Sequence, residues 1–491
     1  MYEKTLKSKA SKQRFSRQCR NIALALLGLT IIVGGVFIVL PRHQEAKAAS
    51  AGAGGDWPMY MHDVGRSSYN KAETIINRTS APNLREHWAS APAGGAVFSQ
   101  PIIANGIVYW GSFDGFEYAT DLNGNLVWKS PNLGVITTCD PVTPNPLGIV
   151  ASAAIATVPI NGTPTAVDFV GGGDHTLYAL DAATGQILWQ TLLGTAGSNT
   201  FIWDSAFVFN NNVYVGTATT GENVKCKLIP GQLFELNASD GSIEHTFNSV
   251  PAGCVGGGIW SSPTFDASDG SIYFTGGTQG TCKNDQISIG IAKLRASDLT
   301  LLSSWQIPLN QRLTNDADFA GTPTLFTATI NGVLQKMVGA VDKNGFYYAF
   351  NRASLSSGPV WSKSIAVPGA CPQCGQGSIS SAVWDGNNIY VAGGNTTTLT
   401  GTTCGGSLRA LNPADGTIVW EACLPKTVLG TVTEVPGVLA VVDGTALSLF
   451  NSATGANLFK SNIDKFYGSL AISNGVLYIG SKTGRLYAFG V

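Results

Sequence analysis

Hydrophobic and polar positions alternate along most of the chain after residue 56, and turn residues interrupt the alternation at short intervals. In Leu177 to Trp189 (LYALDAATGQILW), Leu177, Ala179 and Asp181 fall on one side of a pleat and Tyr178 and Leu180 on the other. Ala183-Thr184-Gly185 then supplies a turn, with Gly185 free to take positive φ, and Trp189 closes a second strand. The same strand, turn and strand recur at 122–128, 236–247, 294–305, 350–361, 411–420 and 449–459. Each copy is preceded by a small-residue strand and a strand ending in Gly, Ser or Thr, at 99–112, 152–173, 205–217, 261–277, 321–341, 380–394, 431–444 and 469–481.

Eight units of about 40 to 60 residues, each able to make four antiparallel strands, predict an all-β, eight-bladed β-propeller. The eighth unit ends at Leu486-Tyr487-Ala488-Phe489 without an outer strand. Leu84 to Trp88 is expected to supply it, which sets Trp88 beside Trp128, Trp189, Phe247, Trp305, Trp361, Trp420 and Phe459 at the equivalent outer-strand positions. A strand from the opposite terminus would close the last blade and remove the open gap in the ring. The aromatic set reads as packing between blades, with no catalytic role.

Composition agrees with this class: 44% hydrophobic, 12% charged and 59 Gly in 491 residues. Net charge is −1, but the first 48 residues hold nine of the 30 basic and two of the 31 acidic side chains, so the remainder carries 21 − 29 = −8. An acidic body excludes nucleic acid as a partner. The basic stretch 1–21 is followed by an uncharged apolar run from Ile22 to Leu40, which at 1.5 Å per residue reaches roughly 28 Å and predicts a transmembrane signal-anchor with the body on the extracytoplasmic side. The alternative is a cleaved signal peptide, with Ala46-Lys47-Ala48 as the small-residue site and a secreted body. Residues 41–55 read as a linker and 56–491 as the propeller.

Of nine cysteines, Cys19 falls on the cytoplasmic side and eight fall in the exported body, an even set suited to disulfides. Eight cysteines allow 105 connectivities. Cys226 and Cys254 bracket one hairpin as Cys404 and Cys423 bracket another, so these two pairings are favoured; Cys371 and Cys374 (CPQC) close a small loop, and Cys139 and Cys282 remain. CPQC is followed by Gly375 and not His, so no c-type haem site is expected, and no second CxxC or paired His supports zinc.

The hairpin ALDAATGQILW resembles the repeat of the pyrroloquinoline quinone (PQQ) propellers, which comprise quinoprotein dehydrogenases and non-enzymatic relatives, and the likeness covers nearly all of 56–491. Asp56-Trp57-Pro58, Tyr60, His62-Asp63, Arg66, Tyr69-Asn70 and Ile76-Asn77 look like the opening segment of the alcohol-oxidising members. The stretch with Gly257-Gly258, Trp260, Asp266, Tyr273 and Gly276-Gly277 is similar to the one that there places a tryptophan under the cofactor. Asp342-Lys343-Asn344-Gly345 resembles the turn whose basic residue contacts the quinone oxygens. The resemblance implies PQQ and calcium as cofactors, with Trp260, Lys343 and Cys139 binding the quinone, Glu222 the metal and Asp285 acting as catalytic base. The departures are a single cysteine in Thr138-Cys139-Asp140 where relatives carry two, Gly277 where a calcium-ligating asparagine stands, and a longer spacing from Glu222 to Gly231.

PQQ chemistry requires a hard cation held by oxygens, a base and a flat ring to stack the quinone. Each candidate also has an ordinary role open to it: Glu222 and Asp285 as solvated acids in polar connections, Lys343 as flank of the Asn344-Gly345 turn, Trp260 as core. Two functions therefore follow. The leading one is a membrane-anchored, extracytoplasmic binding or interaction module that takes a protein or small molecule at the central mouth of the propeller. The other is a PQQ- and calcium-dependent dehydrogenase that oxidises an alcohol, polymeric ones included, and passes electrons to a separate acceptor.

Overall fold

The alternation builds sheets, and the turn residues set their edges. The computed structural model describes residues 55–139, 145–195, 198–221, 226–282, 285–314 and 316–491. Within them, eight antiparallel sheets follow one another along the chain, each built on four strands. Blade two shows the pattern: Ala154–Ile160, Thr163–Gly171, Thr176–Asp181 and Ile187–Leu192 pair in sequence order. Strands at the second and third positions are buried on both faces and read as apolar runs, whereas the fourth is largely exposed and alternates. Innermost strands of successive blades adjoin, and those of the first and last blades, Ile102–Ala104 and Ala471–Ser473, adjoin as well, so the ring is closed.

The closure is the one expected. Arg85–Ala89 pairs antiparallel with Leu486–Gly490, completing blade eight beside Val476–Gly480 and Ala471–Ser473. Its register shifts between Glu86 and Trp88 just as the outer strand of blade two shifts one residue before Trp189. The N-terminal strand thus reproduces the bulge of the repeat, which turns the tryptophan toward the next blade.

In five blades that tryptophan docks the blade on its successor. Indole N–H groups donate to turn carbonyls of the following blade: Trp88 to Leu122 at 2.9 Å, Trp128 to Ala182 at 3.0 Å, Trp189 to Ala238 at 3.0 Å, Trp361 to Pro413 at 3.0 Å and Trp420 to Ser452 at 2.8 Å. The same turn brings its glycine against the ring: a Cβ on Gly185, where φ is +71°, would lie 2.5 Å from Trp128. Glycine is required there by both the left-handed backbone and the approach of the indole.

Four disulfides lie on the face formed by the connections between second and third strands and between blades. Cys404–Cys423 and Cys371–Cys374 form as expected. The other two expectations are corrected: Cys139 joins Cys226, and Cys254 joins Cys282, in place of the pairs 226–254 and 139–282. Cys423 sits within its outer strand opposite Ser407, close to Cys404, but Cys254 lies beyond the end of its outer strand at Asn248. There the chain is already bonded to blade four, Thr281 N–H donating to Val255 O at 3.0 Å and Val255 N–H to Thr281 Oγ1 at 3.1 Å, so Cys254 faces Cys282.

The predicted transmembrane segment 22–40, the basic stretch 1–21 and the linker up to residue 54 lie outside the described residues. Among the described residues no helix is long and apolar enough to cross a membrane.

Candidate functional site

The innermost strands are each preceded by a polar residue, small in all but one, for a geometric reason. Two positions before each of them stand Gln100, Ser152, Ser205, Ser262, Thr322, Ser381, Thr431 and Ser469. Backbone N–H groups around the axis donate to the hydroxyl of the next blade: Gln100 to Ser152, Ser152 to Ser205 and Ser205 to Ser262, each at 2.8 Å, and Thr322 to Ser381 and Thr431 to Ser469, each at 3.0 Å. The hydroxyls satisfy amides that no sheet reaches, where blades converge too closely for larger side chains.

The stretch from Trp57 to Asn70 closes one end of this channel. Trp57 exchanges both backbone hydrogen bonds with Ile103, Val64 O accepts from Phe265 N–H at 2.8 Å, and Glu434 pairs with the Ser68–Asn70 backbone. Arg66 is fully buried and donates to Pro263 O, Tyr60 O, Ser205 O and Ala206 O, at 3.0, 2.7, 2.6 and 3.2 Å. Burial pulls its guanidinium down to about 10, against the charges of Tyr60 and Asp204. Tyr60 points back along the axis, where burial raises its phenol despite hydrogen bonds from Ser381, Ser469 and Thr322.

A blind pit of about 580 Å³ results, floored by Tyr60, Gln100 and the hydroxyl ring and rimmed by Phe98, Phe113, Trp203, Trp260 and Tyr467. Lys482 is the cation in its wall. The sequence showed the recurring Ser or Thr before each inner strand, but a hydroxyl that serves the neighbouring blade is indistinguishable locally from a solvated one.

The residues singled out from the sequence fall into three places. Trp260 is on the pit wall, and the Lys343 ammonium lies 5.5 Å from its ring. Lys343 bonds Asp316 Oδ1 at 2.6 Å and Asp318 Oδ2 at 2.7 Å, and Asp318 also accepts the Thr278 N–H at 2.5 Å. Asp318 was not anticipated; burial raises its carboxyl while the Lys343 charge opposes the shift. Asp285 is turned into its own loop, where Oδ1 accepts from Ile287 and Ser288 N–H at 2.9 and 3.1 Å and Oδ2 from the Ser288 hydroxyl. Cys139 is bonded to Cys226. Glu222 lies outside the described residues.

This set fits PQQ and calcium poorly. A flat ring and an ammonium are present, but among the described residues the oxygen donors for a hard cation are not assembled: Gly277 has none, and a Cβ there would meet Trp260 Nε1 at 2.6 Å and the Asp318 carboxyl carbon at 3.1 Å. Asp318 is paired with Lys343, Asp285 is satisfied locally, and among the described residues no group of three His, Cys, Asp or Glu side chains is disposed around a common point.

Comparisons with known proteins agree with the fold. A family model of PQQ repeats, described as outer membrane protein assembly factor BamB, matches residues 118–372. A quinohemoprotein alcohol dehydrogenase of Comamonas testosteroni is 24% identical over 348 residues, 62% of this chain and 46% of that protein. The chain spans about half the length of the curated relatives it matches. The crystal structure of the Comamonas testosteroni enzyme superposes with a TM-score of 0.69 at 18% identity, covering 91% of this chain and 81% of the other. BamB from Moraxella catarrhalis superposes with a TM-score of 0.56 at 15% identity, covering 83% of this chain and all of the other. The repeat, the ring and the matched half of its sequence make this chain a member of the PQQ-repeat β-propeller family.

Proposed function

We propose that the chain is a membrane-anchored, extracytoplasmic binding module whose ligand enters the axial pit. The observation that carries this reading is the pit itself: an aromatic rim over a hydroxyl floor, with the nearby Asp318 carboxylate held by Lys343. A rim of Phe98, Phe113, Trp203 and Tyr467 suits a small molecule or a protein segment that presents an apolar or ring-bearing face, and hydroxyls below it suit a polar end. Four disulfides support an oxidising, extracytoplasmic compartment. The dehydrogenase reading is favoured by one observation, Trp260 on the pit wall with the Lys343 ammonium over it. The relatives named as alcohol dehydrogenases lend it their activity only as a proposal.

Titration of the purified full-length chain with PQQ plus calcium, followed by absorbance and by dye reduction with a panel of alcohols, separates the two. The binding-module reading expects no saturable binding at tens of micromolar cofactor, well above the roughly low-micromolar affinity of a formed site. Stoichiometric binding that Lys343→Ala and Glu222→Ala abolish, accompanied by turnover, would replace it with the quinoprotein reading.

A further inference from the structure

We infer that Cys371–Cys374 is an exchangeable disulfide on the rim of the pit, which takes up an electron pair from an extracytoplasmic dithiol. Three independent features separate this bond from the other three.

The first is the span it closes. Its sequence separation is 3, against 87, 28 and 19 for the others. A cross-link stabilises a fold chiefly by removing chain freedom from the unfolded state, and that effect grows with loop length, so this bond has least to contribute to folding. The second is access. Cys226, Cys254 and Cys404 are buried and shield one sulfur of each of their bonds, whereas Cys374 is exposed and Cys371 is half-buried. Thiol–disulfide exchange needs an in-line approach to one sulfur and departure of the other; Cys423 is also exposed, but only at Cys371–Cys374 is neither partner buried, so that the leaving sulfur reaches solvent as well.

The third feature is that the surrounding loop is held without the bond. Gly369 N–H donates to Lys343 O, Gly377 N–H to Val367 O at 2.7 Å, Gly394 N–H to Gly377 O at 3.0 Å and Asn395 N–H to Gly375 O at 2.7 Å. Cys374 and Gln376 N–H both return to Cys371 O, and Cys371 N–H donates to Gln376 Oε1. Backbone hydrogen bonds thus fix both flanks of the CPQC turn, and reduction would leave the two sulfurs near one another, ready to re-form. Gln373, between the cysteines, lines the pit, which puts the exchange site at the ligand entrance.

The step balances as follows. A thiolate of the external dithiol attacks the exposed Cys374 Sγ; the Sγ–Sγ bond breaks, and Cys371 leaves as a thiolate that takes a proton from water. The second thiolate of the dithiol attacks its own sulfur in the mixed disulfide, releasing Cys374 as a thiolate that is protonated in turn. The external dithiol loses two electrons and two protons, and Cys371 and Cys374 gain them.

The test uses the full-length chain with Cys19 blocked by alkylation beforehand. It is exposed to graded ratios of reduced to oxidised dithiothreitol, quenched with a second alkylating agent and mapped by mass spectrometry, with circular dichroism on the same samples. The expected result is two new thiols, Cys371 and Cys374, at least about tenfold faster than any other pair and with the fold intact. A Cys371→Ser variant, which leaves the exposed sulfur free, should react with an aromatic disulfide such as dithiobis(nitrobenzoate) about tenfold faster than Cys374→Ser. Reduction of Cys404–Cys423 at the same rate, or of Cys371–Cys374 only on global unfolding, overturns the inference. Equal reactivity of the two serine variants overturns the assignment of the attacked sulfur.

Discussion

The ring has one seam with no chain connection, between Arg85–Ala89 and Leu486–Gly490 within blade eight, and Trp88 docks the N-terminal strand of that seam on blade one. Replacing Trp88 by Leu removes the indole donor to Leu122 O and the ring surface against Gly124, while a smaller apolar side chain stays at the strand. The lost hydrogen bond is worth about 1 kcal/mol, since the exposed turn can rehydrate its carbonyl. The smaller half-buried side chain forfeits roughly 1–2 kcal/mol of burial, for about 2–3 kcal/mol in all. Trp189→Leu in blade two removes the same two contacts, the donor to Ala238 O and the ring against Gly241, so its total effect should be similar. The consequences differ in place. Strand 187–192 is held by the chain on both sides, but Arg85–Ala89 is joined to Leu486–Gly490 by no chain connection, only by pairing, by flanking hydrogen bonds such as Ser90 N–H to Leu486 O at 2.8 Å, and by packing that includes Trp88 on Tyr478. Native-state hydrogen exchange should therefore show the amides of 85–89 and 486–490 losing protection by roughly 30- to 100-fold in Trp88→Leu, with other blades unchanged. Trp189→Leu should lower protection across its neighbourhood without opening the seam between 85–89 and 486–490. Equal protection of 85–89 in the two variants would show that closure rests on backbone pairing alone, and the reasoning about the indole would fail.

Two further outcomes follow from the interior. Burial, then the charge of Asp385, raises Glu434 to about 9, and burial raises Asp168 to about 8, both far above their unfolded values. Such acids hold a proton in the folded state that the unfolded chain releases near pH 4, so their stabilising share is complete below about pH 4 and is lost as pH rises through about 8 to 9. Thermal midpoints should accordingly fall from pH 5 to pH 9, and Glu434→Gln should flatten the fall by up to about 1.4 kcal/mol per pH unit; an unchanged slope would place the proton elsewhere. In blade two, Gly185→Ala, in the turn between third and fourth strands, should destabilise by about 2–4 kcal/mol through strained φ and collision with Trp128, whereas Gly162→Ala, in the turn between first and second strands and also at positive φ but facing open space, should lose only about 1–2 kcal/mol, as urea midpoints would read. Equal losses at the two positions would mean that the indole yields.

How much of this was legible in the sequence depends on the range of the interaction concerned. The blades were legible because alternation and turn chemistry act within a few residues, and their repetition from 99 to 490 multiplied a weak local signal. Closure was legible by subtraction, since the eighth unit lacked an outer strand and Leu84 to Trp88 matched one. Disulfide pairing was half legible: Cys404 and Cys423 are held by a register that their own hairpin sets, while Cys254 is carried to Cys282 by the hydrogen bonds of Val255 with Thr281 in the next blade. Nothing near residue 254 encodes that partner.

The same distinction governs the candidate site. Lys343 and Trp260 were found because each stands in a recognisable stretch, yet the ammonium of Lys343 is held by Asp318, which comes from the connection ahead of blade five and reaches it only by folding. With glycine at position 277, the space beside the Trp260 indole and the Asp318 carboxyl is too tight even for a Cβ, and the carboxylate that approaches it is already paired with an ammonium. A hard divalent cation at this point would have to displace Lys343 from two carboxylates before gaining any oxygen, which is an unfavourable exchange without a third donor. A reading taken residue by residue from the resemblance assigns each side chain its partner in the cofactor; in this chain Lys343 is held by Asp316 and Asp318, Asp285 by Ser288, and Cys139 by Cys226. The pit beside them is thereby left with an aromatic rim and a hydroxyl floor, and it is these surfaces that a ligand would meet.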